Sequence, residues 1–256
     1  MSDVLLRAES LTAGYAGAPA VRDVNLEVRP GEVVAVLGPN GAGKTTTLLS
    51  LVGLLPLMSG SVTALGHPVL PNKSHLLARR GGLLVPDDRG LFPSLSVQAH
   101  LRLARSTPDL AREQEVLDRF PALADLRGRP AGLLSGGEQQ MLTIAKALVA
   151  APKLLLIDEM SLGLAPKIIQ ELLPLIRDLA KEEGIGVVLV EQHIDLVLQV
   201  ADKGLILNHS HVVLEGPATD LRARRADVEA AYFGAGKYDV SDSEAAATTE
   251  LGAADA

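Results

Sequence analysis

Gly38-Pro39-Asn40-Gly41-Ala42-Gly43-Lys44-Thr45 fits the pattern G-x-x-x-x-G-K-T without a mismatch. Just before it, Val33–Leu37 is a continuous apolar run, as expected of a strand buried on both faces of a parallel sheet. Just after it, residues 45–55 read as a helix, stopped by Pro56 and a Ser59-Gly60-Ser61 turn. In that order the three pieces form a phosphate cradle. Glycines let backbone N–H groups turn inward, Lys44 adds a positive charge, and the Thr45 hydroxyl is available to Mg²⁺. A chance glycine-rich turn would lack the flanking elements, so the expected fold is α/β around a phosphate loop.

Two further segments extend this reading. Leu154-Leu155-Leu156-Ile157-Asp158-Glu159 is an apolar strand ending in two carboxylates. Behind a phosphate loop, Asp158 is placed to hold Mg²⁺ through water, and Glu159 points toward an attacking water. Leu134-Ser135-Gly136-Gly137-Glu138 precedes a helix, since Met141, Ala145, Leu148 and Val149 recur at helical spacing. Ser135, Gly136 and Gly137 therefore sit at a helix N-terminus, with a hydroxyl and free amides suited to an anion. Taken alone, this would be an ordinary serine cap followed by a flexible glycine pair.

The rest of the chain is read more coarsely. Residues 4–9 and 21–28 alternate like an antiparallel strand pair, with Gly14 and Gly17 between them. Residues 94–150 lose strand patterns and become rich in Arg, Leu and Ala, which predicts a helical lobe. The core resumes with strands at 154–157, 187–190, 205–207 and 212–214 and a helix at 167–183, where Pro174 should introduce a kink. Beyond Lys237 almost no large apolar residue remains, so residues 237–256 are expected to form a disordered tail after a single domain spanning 1–236.

Composition limits the function classes. The 256 residues carry a net charge of −7 and only 2% aromatics, which argues against a nucleic-acid partner. With no cysteine, disulfides and thiolate metal sites are excluded. No apolar run approaches the roughly 20 residues needed to span a bilayer, and Met-Ser-Asp does not begin a secretory signal. A soluble protein is expected, held at any membrane by something else.

These motifs, in this order, resemble the ATP-binding subunit of an ABC transporter over roughly residues 4 to 234. The resemblance implies a P-loop NTPase core of ABC type with an N-terminal antiparallel β subdomain and an inserted α-helical lobe. It implies ATP hydrolysis with Mg²⁺. Tyr15 would lie against the adenine. Gly38, Pro39, Asn40, Gly41, Ala42, Gly43, Lys44, Thr45 and Thr46 would hold the phosphates. Thr45, Asp158 and Asp87 would attend the metal. Glu159 would polarise the attacking water, aided by Lys44 and by His193, the expected switch histidine beyond Glu191. Leu134, Ser135, Gly136, Gly137 and Glu138 would contact the ATP of a partner subunit, because each nucleotide in this family is sandwiched between two cassettes. Two departures stand out: Met160 replaces the usual proline, and Asp87 occupies the place of a glutamine.

Within the family, Val85-Pro86-Asp87-Asp88-Arg89, Ser161-Leu162-Gly163-Leu164-Ala165-Pro166 and Val190-Glu191-Gln192-His193 look most like the branched-chain amino acid uptake type. That type implies a second ATPase subunit (the same or a different chain), two transmembrane permease subunits, an extracytoplasmic substrate-binding protein and a peripheral place on the cytoplasmic side of the membrane. A urea or amide importer is the main rival, and a soluble ATPase of the iron–sulfur assembly type is the other. Ribosome-associated relatives carry two cassettes or a long coiled-coil insertion, and neither is present here.

Overall fold

The computed structural model describes residues 4–234; the tail predicted at 237–256 lies outside them. Buried Leu6, Ala8, Leu11 and Ala13 line one face of β1 (Leu6–Tyr15), and Val21, Val24, Leu26 and Val28 one face of β2 (Ala18–Val28). The two pair antiparallel with one wet face. β1 runs well past the expected end at residue 9, because register shifts between Ala8 and Leu11 and between Leu11 and Ala13 keep its apolar face inward.

β3 (Val33–Leu37) leads into α1 (Lys44–Leu51), which stops four residues short of the expected end, before Gly53 with its φ of +75°. Ser59-Gly60-Ser61 is not a turn but the middle of β4 (Leu57–Ala64), paired with β1. A Cβ on Gly60 would lie 2.3 Å from the Ser10 carbonyl oxygen. The glycine permits this close approach of strands, a role easily mistaken for a turn signal. β5 (His67–Pro68) completes a four-stranded sheet ordered β2-β1-β4-β5.

After α2 (Ser74–Arg79), β6 (Gly82–Val85) is a strand too short to have stood out in the sequence. The lobe then contains α3 (Val97–Leu103), α4 (Leu110–Arg119), α5 (Pro121–Ala124), a 3₁₀ turn (Ala131–Leu133) and α6 (Gly136–Val149). Inside it His100 is fully buried: its Nε2 accepts from the Phe92 N–H, so its Nδ1–H donates to the Ser96 carbonyl.

β7 (Leu154–Asp158), α7 (Pro166–Glu183), β8 (Gly186–Glu191), α8 (Ile194–Val197), β9 (Lys203–Asn208), β10 (His211–Pro217), α9 (Ala218–Ala223) and α10 (Arg225–Phe233) follow. α7 continues through Pro174 without interruption and ends at Gly184, whose φ is +67°. The second sheet has the order β10-β9-β3-β8-β7-β6, parallel except for β10. Alternation along β3 divides the core. Val33, Ala35 and Leu37 pack with the lobe, α6 and α7, while Val34 and Val36 pack with β1, β2 and α1. Asp202 ties these layers together, accepting from the Val33 N–H at 2.8 Å and from Arg177 Nη2 at 2.6 Å. No helix among the described residues is long and apolar enough to cross a membrane.

Candidate active site

Parallel register brings the chemistry to one sheet edge. Leu37 pairs with Glu191, Asp158 with Val190, and Val85 with Ile157, so the carboxyl ends of β3, β8, β7 and β6 finish together. Ligands of open α/β sheets bind in the crevice outside such ends. The phosphate loop leaves β3 there. Gly41 and Gly43 have φ of +81° and +103°, and a Cβ on Gly43 would fall 2.5 Å from the Ala20 carbonyl oxygen. The loop thus needs glycine both for its torsion and for its approach to β2. No side chain caps α1 at Gly43, so its first-turn amides remain available to an anion.

Lys44 is 4% exposed. Its Nζ donates to the Pro39 carbonyl at 3.2 Å and pairs with Glu159 Oε1 at 3.3 Å. The other carboxylate oxygen of Glu159 accepts from Gln192 Nε2 at 3.0 Å. Glu159 itself has φ of +39°, a strained value for a residue with a side chain and one typical of functional positions. Its backbone is held by donation of its N–H to the Val190 carbonyl at 3.0 Å. The next residue, Met160, is buried in the apolar core, so at this position packing replaces the ring of a proline.

The Thr45 hydroxyl donates to Asp158 Oδ1 at 3.4 Å. Burial pushes the Asp158 carboxyl up to about 6, opposed by the Thr45 hydrogen bond and reinforced by the charges of Asp87 and Glu159. The exposed Asp87 therefore lies within electrostatic reach of Asp158, on the loop after β6. Thr45, Asp158 and Asp87 are hard oxygen donors, and so few protein ligands suit Mg²⁺, which keeps several waters and takes phosphate oxygens. The destabilised Asp158 carboxylate is a group that a cation would relieve.

Behind these residues Glu191 is buried, accepting from the Ser161 N–H at 2.9 Å and the Ser161 hydroxyl at 2.5 Å. Burial raises its pKa against those hydrogen bonds. It anchors the segment after Glu159 to β8. Tyr15 ends β1 opposite Ala18 and is 53% exposed, with no hydrogen bond to the phosphate loop among the described residues. Its neighbour Gly14 has no room for a Cβ, which would meet the Ala18 carbonyl oxygen at 2.0 Å.

The Ser135 segment forms a full capping box on α6. The Ser135 hydroxyl accepts from the Glu138 N–H, and the Glu138 carboxylate accepts from the Ser135 N–H at 2.7 Å. No hydrogen bond or ion pair among the described residues joins Leu134–Glu138 to the phosphate loop. Arg89, noted in the sequence only as part of a family-like stretch, fastens α6 to the loop after β6 by donating to Gln139 Oε1 at 2.7 Å and Gln140 Oε1 at 3.3 Å.

His193 is not brought to Glu159. It stands at the N-cap position of α8 without a side-chain capping bond, is exposed, and its ring makes no hydrogen bond among the described residues. It lines a cleft of about 700 Å³ between α8 and α10, together with Arg225, Tyr232 and Phe233. The residue that does reach Glu159 is Gln192, one position earlier. An amide between two ionisable residues gave no signal in the sequence.

Residues 21–161 match the model of a family described as ABC transporter. The high-affinity branched-chain amino acid transport ATP-binding protein BraG of Pseudomonas aeruginosa is 38% identical over 234 residues, 90% of this chain and 100% of that protein. The lipopolysaccharide export system ATP-binding protein LptB of Escherichia coli is 34% identical over 223 residues, 84% of this chain and 92% of that protein. Among solved structures, cbiO1 of Clostridium perfringens, part of the ABC transporter complex cbiONQ, superposes with a TM-score of 0.78 at 28% identity, covering 88% of this chain and 92% of that one.

Proposed function

Because the chain belongs to the ABC transporter family and is an ATP hydrolase of that family, we propose that it powers the uptake of branched-chain amino acids. In this reading it pairs with a second cassette, closes on ATP and releases after hydrolysis. One observation carries the paired mechanism: Lys44, Thr45, Asp158 and Glu159 converge at one sheet edge, while the Ser135-Gly136-Gly137 start of α6 stands apart from them in the same chain. Each copy holds two half-sites, so a complete site needs a partner. ATP favours the closed pair because only that state engages both halves.

The loop from Gly38 to Thr46 holds the phosphates, Lys44 balances the terminal one, and Tyr15 packs on the adenine. Thr45 and Asp158, with Asp87 nearby, would hold Mg²⁺, which would neutralise charge on the transferred phosphoryl group. Glu159 orients the attacking water. Loss of the terminal phosphate removes contacts at both half-sites and lets the pair open.

The substrate assignment rests on the similarity to BraG. A permease contact is supported by a cleft of about 420 Å³ between core and lobe, lined by Val85, Pro86, Phe92, His100, Leu103 and Lys146. Phe92 and Leu103 are each 58% exposed there, as suits a docking face on the cytoplasmic side of a membrane. The similarity to LptB supports a second reading, a lipid-exporting complex. Uptake of labelled leucine, isoleucine and valine by a deletion strain tests the proposal, with urea measured in parallel. Loss of amino acid uptake, restored by the wild-type gene and not by Glu159→Gln, is expected. Unchanged uptake of all three amino acids would reject the assignment.

A further inference from the structure

We propose that Gln192 is the positioning residue for Glu159, in the place that family resemblance assigns to His193. Gln192 Nε2 donates to Glu159 Oε2 at 3.0 Å, while Glu159 Oε1 faces Lys44 at 3.3 Å. The carboxylate is thus gripped from two sides. A terminal phosphate binding Lys44 would compete for the first grip and leave the second. Gln192 then keeps the Glu159 carboxylate from swinging away when its ion pair is released.

The surroundings of Gln192 are built to hold it. The preceding Glu191 is 1% exposed, locked to Ser161 through both oxygens, and accepts from the Gln192 N–H at 3.3 Å. The Gln192 carbonyl accepts from the Ile194 N–H at 3.1 Å. With its backbone fixed at both ends, the half-buried side chain turns toward Glu159. His193 projects instead into the cleft beside α10. The chemistry differs accordingly. An amide N–H donates whatever its surroundings, and it neither accepts nor releases a proton at ordinary pH. Gln192 orients the carboxylate without taking part in proton transfer.

This inference rests on the reading of Glu159 as the residue that orients water, and the test separates the two. Steady-state ATP turnover is measured on the full chain, at protein concentrations where specific activity has levelled off, for the wild type, Gln192→Ala, Gln192→His, His193→Ala and Glu159→Gln. Gln192→Ala is expected to lower kcat at least about tenfold, with KM for ATP within about twofold. Gln192→His, which restores an N–H at similar reach, should recover part of that loss. His193→Ala should keep kcat within about twofold. If Gln192→Ala turns over normally while Glu159→Gln does not, the inference is overturned and the role of Glu159 stands. If His193→Ala carries the loss instead, the switch assignment returns to histidine. Normal turnover in Glu159→Gln would overturn both.

Discussion

Lys44 Nζ lies 3.3 Å from Glu159 Oε1, and the lysine is only 4% exposed. A buried ammonium needs a nearby negative charge, and here the carboxylate of the catalytic strand end supplies it. In the proposed reading the terminal phosphate of ATP would compete for the same cation. Nucleotide binding would then release Glu159, coupling occupancy of the loop to readiness of the carboxylate.

Lys44→Ala removes the only side-chain cation paired with Glu159 among the described residues and a charged donor to the phosphates. A charge-assisted hydrogen bond contributes about 1.5–3 kcal/mol, so ATP affinity should fall by about 10- to 100-fold. Isothermal titration calorimetry reads this directly. An unchanged dissociation constant would place the phosphates elsewhere.

Asp158 links stability to pH in an unusual sense. Its carboxyl titrates near 3.8 when unfolded and at about 6 in the fold, through burial. The folded chain keeps that proton between the two values, so this residue's contribution to stability declines as pH rises from about 4 to 6. Asp158→Asn removes the decline. Without nucleotide at pH 7.5, the variant should be more stable by up to about 3 kcal/mol, yet should lose Mg²⁺-dependent hydrolysis. Urea unfolding between pH 4 and 8 provides the comparison. A variant less stable than wild type at pH 7.5 would contradict it.

Ser135→Ala deletes half of the α6 capping box, a loss of about 1 kcal/mol in stability. If the segment also touches a partner's ATP, hydrolysis should fall by about tenfold or more at concentrations where the wild type is saturated, while ATP affinity of the single chain stays unchanged. Equal losses in affinity and turnover would instead mean that the phosphate loop itself has been disturbed.

Asp87 is exposed beside Asp158, where a family glutamine would be neutral. Asp87→Gln and Asp87→Ala should change the ratio of hydrolysis with the membrane subunits to hydrolysis without them, whatever the basal rate of each variant. Identical stimulation in wild type and both variants would remove Asp87 from the relay.

The fold was most legible where backbone physics leaves few choices. The loop at Gly38–Thr45 demands glycine torsions and a lysine, and the runs at Val33–Leu37 and Leu154–Ile157 are too apolar for anything but buried strands. Strand β4 was hidden because Gly60 serves a close strand contact that looks like a turn, and β6 because four residues carry too little pattern. At the site, Lys44, Thr45, Asp158 and Glu159 converge as their motifs implied. Past Glu191 the sequence drew attention to the titratable ring of His193, whereas the residue that hydrogen-bonds Glu159 is the amide Gln192. Side-chain direction past the end of a strand depends on tertiary anchoring, here of Glu191 by Ser161, and sequence spacing does not specify it.

The central claim is that Glu159 turns over the ATP held beside Lys44, and the nucleotide retained by Glu159→Gln tests it most directly. After incubation with Mg²⁺ and ATP, protein is separated from free nucleotide and its bound fraction identified by chromatography. The variant should retain ATP and convert it at least about a hundredfold more slowly than wild type, the scale of one positioned acid–base group. Bound ADP appearing at the wild-type rate would contradict the account and assign the water to another residue.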